Sequence, residues 1–170
     1  MSGLVILSHG LESGPDATKV SALAVVAESL GWRTLRPDYR DLDARGLAAA
    51  AQPRLERLVA AIPRGERVLL AGSSFGAFIS GLASLQREVA GLFLLATPHE
   101  LPGYARPFAM AERVRAMLVH GWRDELCPVD AAIAIARGHG AELLLLDDDH
   151  RLSAHVDAIA AQFRLFLEAF

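Results

Sequence analysis

Six short apolar runs punctuate the chain: "LVILS" (4–8), "RTLRP" (33–37), "RVLLAG" (67–72), "GLFLLAT" (91–97), "RAMLVHG" (115–121) and "AELLLLD" (141–147). Most are continuous rather than alternating with polar residues, the pattern of strands covered on both faces. Between them the apolar spacing changes to three and four. Val20, Leu23, Ala27 and Leu30 mark one helix, opened by Pro15-Asp16 and stopped by Gly31. Leu55, Leu58, Val59 and Ile62 mark another, bounded by Pro53 and Pro63. Val156, Ile159, Phe163, Phe166 and Phe170 mark a closing one.

Strands alternating with helices through short connections predict parallel strands joined by right-handed crossovers, hence an α/β, three-layer, doubly wound domain spanning 1–170. If the first strand sits between the second and third, the order is 2-1-3-4-5-6 and a crevice opens where helices leave strands 1 and 3 on opposite faces. No second domain, linker or repeat interrupts the pattern. The long irregular piece is 97–112, where Pro98, Pro102 and Pro107 break any long helix. It lies at the C-terminal edge of the strands, where such folds bind ligands.

Composition narrows the classes. With 52% hydrophobic residues in 170, the chain can form one buried core, yet no apolar run approaches the ~20 residues of a membrane span. The net charge of −3 is spread without a basic block, which argues against a nucleic-acid partner. Cys127 is the lone cysteine, so neither an internal disulfide nor a multi-thiolate zinc site can form. No helix-spaced ligand pair such as H-x-x-x-H indicates a metal. The segment "MSGLVILSHG" lacks a basic leader, and a cytoplasmic protein without membrane partner is expected. Nothing in the pattern marks an assembly state.

The chemistry begins at "AGSSFGAF" (71–78), where Gly72-Ser73-Ser74-Phe75-Gly76 joins a predicted buried strand to a predicted helix. A G-x-S-x-G turn in that setting lifts the serine onto a strained elbow, with glycines where chain segments pass too close for a Cβ. The bland alternative is a tight turn with Ser74 as a helix cap. A serine nucleophile needs a base, and the base an orienting acid. "HGWRDELCPVD" offers Asp124 after the fifth run, and "DDDHRLSAH" offers His150 after the sixth. Both follow strand ends, and the order Ser…Asp…His suits this elbow. Glu125 and Asp130 compete for the acid, Asp130 being placed to begin a helix. His155 competes for the base from within the predicted last helix. The run Asp147-Asp148-Asp149 reads as a solvated loop, and His9 and His120 as histidines that shape loops by hydrogen bonding.

Through these residues the chain resembles a small α/β-hydrolase along nearly all of its length. "LSHGLES" (7–13) is similar to the HG-x loop of that superfamily, "GSSFG" to the elbow, "HGWRDELCP" to the acid loop and "DDHRL" to the histidine loop. The superfamily's first two antiparallel strands have no counterpart here, and only 97–112 stands where relatives insert a cap. The resemblance implies a minimal, lidless fold with nucleophile Ser74, acid Asp124 and base His150, and no cofactor. Backbone N–H groups of Phe75 and Leu11 are candidates for an oxyanion hole. His99 is a candidate pocket residue; Leu101, Tyr104, Phe108 and Trp122 either form an apolar acyl pocket or seal the core. The implied activity is hydrolysis of a small-molecule carboxylic ester or thioester through an acyl-enzyme. Serine aminopeptidase, lactone hydrolase and a non-catalytic small-molecule binder are the alternatives.

Overall fold

The computed structural model describes residues 3–170; the part of the leader expectation that falls on Met1 and Ser2 lies outside them. Six strands form one sheet: β1 (Leu4–Ser8), β2 (Arg33–Leu35), β3 (Val68–Ser73), β4 (Gly91–Leu95), β5 (Arg115–Gly121) and β6 (Glu142–Leu146). Their order is β2-β1-β3-β4-β5-β6 and every pairing is parallel, as the alternating pattern predicts. The sheet is open, with β2 and β6 at its edges. The three residues of β2 are mostly exposed and β6 is only partly buried, so two-sided cover applies to the four central strands.

The helices are α1 (Thr18–Ser29), α2 (Arg40–Asp43), α3 (Leu47–Ala61), α4 (Phe75–Ser84), α5 (Val129–His139) and α6 (Val156–Leu167). Side chains alternate across a strand, so the sheet divides the core in two. Leu4, Ile6, Val68, Leu70, Leu92, Leu94 and Leu118 face the layer containing α3 and α4. Val5, Leu7, Leu69, Ala71, Phe93, Leu95 and Val119 face α1 and α6. Phe93 meets Phe163 and Phe166 with ring centroids 4.8 and 5.5 Å apart, tying α6 to the sheet centre. Every residue of α4 is buried, which suits its apolar, small-residue sequence; its two serines, Ser80 and Ser84, donate to the carbonyls of Gly76 and Gly81.

One helix boundary needs correction. Pro53 does not start a helix; it lies inside α3, which begins at Leu47 after Gly46 at φ 88°. A mid-helix proline forfeits one hydrogen bond and costs about 3 kcal/mol. Here, burial of Ala50, Ala51, Arg54, Leu55 and Leu58 on one face carries the helix through it. The segment 97–112 contains no helix or strand, as expected. Among the described residues no helix is long and apolar enough to cross a membrane.

Candidate active site

Ser74 is the residue between β3 and α4, at φ 53° and ψ −115°. Positive φ is strained for a residue with a Cβ, by roughly 1–3 kcal/mol. The surroundings hold it there: its N–H donates to Leu95 O (2.8 Å), and its carbonyl accepts from Phe78 N–H (3.0 Å). The flanking glycines are steric requirements. A Cβ on Gly72 would fall 2.5 Å from the Gly76 backbone, and one on Gly76 would fall 2.1 Å from Ser8 O. The elbow is therefore pressed against the end of β1.

Across the sheet edge, His150 Nε2 lies 2.8 Å from Ser74 Oγ, and His150 Nδ1 lies 2.8 Å from Asp124 Oδ2. The carboxylate fixes the tautomer: Nδ1–H donates to Asp124, leaving Nε2 to accept the serine proton. Asp124 is buried, and its Oδ1 accepts the N–H groups of Leu126 (3.0 Å) and Cys127 (2.8 Å). Burial pushes its pKa up, but the His150 hydrogen bond, the Cys127 N–H and the nearby histidines outweigh this and leave it below the usual carboxylate range. His120 Nε2–H donates to Cys127 O (2.7 Å) and lies 3.3 Å from Asp124 Oδ2, so it braces the acid loop as well as shaping it.

Of the competing groups, Asp130 lies in the first turn of α5 and Glu125 is exposed. His155 ends a short 3-10 turn (Ser153–His155) and bonds through Nδ1 to Asp148 Oδ2 (2.9 Å). Asp148 is thus not part of a solvated loop. It is buried and also accepts the N–H groups of Asp149 (2.8 Å) and Ala154 (3.0 Å), bracing the turn that carries His150.

Phe75 opens α4, and a first-turn helix N–H has no partner within the helix. Gly10 packs against the elbow, since a Cβ there would lie 3.4 Å from Ser73 O and 3.7 Å from Ser74 Cβ. Leu11 follows it and is partly exposed. His99 is half exposed and 3.6 Å from Glu100. Leu101, Tyr104 and Phe108 pack on the α3–α4 core; Phe108 and Tyr104 each stand 6.1 Å from the Phe78 ring. Trp122 is 54% exposed on the acid loop.

A cavity of about 460 Å³ lies elsewhere than the sequence suggests, between the 11–13 loop and the α2–α3 corner. Leu11, Ser13, Arg40, Asp43, Ala44 and Leu47 line it. Except for Leu11, sequence reasoning missed these residues, because the corner gathers segments about thirty positions apart. Asp124, Cys127 and His150 bring three ligand atoms within 4.8 Å of one another. Burial and the Asp124 charge push the Cys127 thiol up to about 12, so in this structure it stands as a neutral thiol beside the Asp124–His150 hydrogen bond.

A scan against protein-family models gives no match, and neither does a search of curated proteins. Solved structures do match. A candidate hydrolase of the alpha/beta superfamily from Xanthomonas campestris pv. campestris is 46% identical, with a TM-score of 0.92 and 99% of each chain covered. An alpha-beta serine hydrolase homologue from Coxiella burnetii shares 22% identity at TM-score 0.78, covering 98% of this chain and 86% of that one. A serine hydrolase without a lid from Xanthomonas campestris shares 17% at TM-score 0.76, covering 99% and 83%. The last two speak for the fold alone, but near-half identity over the full length of the first shows that this chain belongs to the α/β-hydrolase superfamily.

Proposed function

We propose that this hydrolase-family protein is a serine hydrolase that cleaves a small carboxylic ester or thioester in the cytoplasm through an acyl-enzyme on Ser74. The observation that carries the reading is the unbroken hydrogen-bonded chain Ser74 Oγ, His150, Asp124, with 2.8 Å at each step, on a backbone held at positive φ. Three residues far apart in sequence meet at the edge where α/β sheets bind ligands.

In the first half-reaction His150 Nε2 takes the Ser74 proton as Oγ bonds to the substrate carbonyl carbon. The carbonyl electrons move onto oxygen, which the N–H groups of Phe75 and Leu11 receive. The carbonyl then re-forms, the bond to the alcohol or thiol breaks, and His150 returns the proton to that leaving group. In the second half-reaction water gives a proton to His150 and its oxygen bonds to the acyl carbon. Collapse expels Ser74 Oγ, which recovers the proton, and the acid leaves. Asp124 stays ionised throughout and stabilises the imidazolium. Its depressed pKa suits that role. The cavity beside Leu11 has the volume of a small-ligand site, and Leu11, Ala44 and Leu47 offer an acyl or alcohol group an apolar wall beside the charged Glu12, Arg40 and Asp43.

A fluorophosphonate probe tests the reading. Wild-type protein labels on one residue, Ser74→Ala does not label, and Asp124→Asn labels about 10³–10⁴-fold more slowly because the imidazole tautomer is lost. Labelling that persists in Ser74→Ala refutes the proposal. Turnover of nitrophenyl esters, acyl thioesters, lactones and aminoacyl peptides then ranks the substrate classes.

A further inference from the structure

Arg54 is fully buried at the middle of the apolar face of α3, and it is the largest fully buried side chain among the described residues. Guanidinium burial is costly unless every donor is engaged. Here Nε donates to Asp43 Oδ1 (2.6 Å) and Nη2 to Asp43 Oδ2, a bidentate pair. Two of the three remaining N–H groups leave the pair and reach the loop after β1: Nη1 to His9 O (2.8 Å) and Nη2 to Gly10 O (3.2 Å). The guanidinium carbon lies 4.6 Å from the Tyr39 ring centroid and 4.2 Å from that of Phe75, the residue after the nucleophile.

We infer that Arg54 is a positioning residue for the oxyanion loop: with Asp43 it grips two consecutive carbonyls, His9 O and Gly10 O, and so sets where the following N–H groups point. The step follows from peptide geometry. In a trans peptide the carbonyl and the next N–H point in opposite directions. Drawing Gly10 O toward the guanidinium turns Leu11 N–H away from it, and drawing His9 O does the same to Gly10 N–H. His9 reinforces the grip. Tyr39 N–H donates to His9 Nε2 (3.0 Å), which leaves the ring proton on Nδ1 to donate to Gly10 O (2.8 Å). Burial lowers the His9 pKa, keeping the neutral tautomer that this arrangement requires. Gly10 O thus receives two donors from two directions, and its peptide plane has little freedom. Because Asp43 also lines the 460 Å³ cavity, the grip and the cavity share a wall.

The inference deepens the proposed hydrolase reading and rests on its oxyanion loop, so the test separates the two. Arg54→Lys keeps one positive charge but cannot serve two carbonyls and a bidentate carboxylate at once. Should it fold poorly, Arg54→Met/Asp43→Asn removes both charges together. Two readouts apply to whichever variant shows native exchange protection in β3 and β4. The backbone order parameters of the Gly10 and Leu11 amides fall from about 0.85 toward 0.6 as the peptide planes gain freedom. With a nitrophenyl ester, kcat falls by about 10²-fold with KM within about threefold, as for loss of an oxyanion donor, while the downfield Nδ1 proton signal of His150 is unchanged. Wild-type order parameters at Gly10 and Leu11, or wild-type kcat, in a folded variant overturns the inference. A wild-type protein inert to the ester and to the fluorophosphonate overturns the hydrolase reading alone, and lower order parameters at those two amides in the variant still support the grip.

Discussion

Replacing Gly76 with alanine adds one methyl group at the tightest contact of the elbow. That Cβ would sit 2.1 Å from Ser8 O, 2.6 Å from Ser8 C and 2.7 Å from His9 O. All three atoms are backbone, so no rotamer change relieves the clash, and the first lies more than an ångström inside ordinary contact. Either α4 retreats from the sheet or the end of β1 shifts. Overpacking typically costs 1–3 kcal/mol, and a clash confined to backbone belongs at the upper end, about 3 kcal/mol. For a chain of this size that lowers Tm by about 6–12 °C. The same displacement moves Ser74 relative to the His9–Gly10 loop by about 1 Å, enough to cost on the order of 10² in kcat/KM. Gly138→Ala is the control: the position lies in α5 with nothing within 4 Å of the added Cβ. It raises stability by about 0.5–1 kcal/mol. Thermal melts and ester hydrolysis of both variants decide the matter. A Gly76→Ala protein melting within about 2 °C of wild type and fully active would refute the claim that β1 and α4 are locked together at this point.

Ser74→Gly removes the Cβ that makes φ 53° costly, so it abolishes turnover while raising Tm by about 2–4 °C, net of the glycine entropy cost; a melt at or below that of Ser74→Ala contradicts the strain argument. Cys127, with its thiol pushed up to about 12 by burial and the Asp124 charge, stays unreacted with Ellman's reagent at about pH 8 until denaturant is added. Prompt reaction of the native protein means that the thiol is accessible. For Asp148, burial raises the pKa, but the hydrogen bonds from His155, Asp149 N–H and Ala154 N–H more than offset it, leaving the folded value below the ordinary 3.8. Its contribution is present above that ordinary value and lost as pH falls through the folded value. Asp148→Asn should lower the urea midpoint near neutrality and flatten its fall below about pH 5; an unchanged acid limb would show that Asp148 is not what stabilises the His150 turn.

Much of the fold follows from local pattern. Continuous apolar runs such as "RVLLAG" specify buried strands because neither face of a central parallel strand meets water, and the glycine–serine elbow announces itself where such a run gives way to a helix. The candidates Ser74, Asp124 and His150 are legible for the same reason: each follows a strand end, and parallel topology brings all such ends to one edge. Local pattern misleads where distant contacts override propensity. Pro53 looks like a helix boundary but is carried inside α3 by burial on both sides of it. Asp148 looks solvated but is enclosed by a turn and His155.

The amino-acid order alone determines the strands, their sequence of alternation and the residue types at the elbow, because these depend on neighbours within a few positions. Tertiary structure alone decides that Arg54, on an apolar helix stripe, is satisfied by a carboxylate eleven residues away and by carbonyls more than forty residues away. A buried charge is tolerable only when its partners converge from several chain segments, and such convergence exists only once the chain has folded.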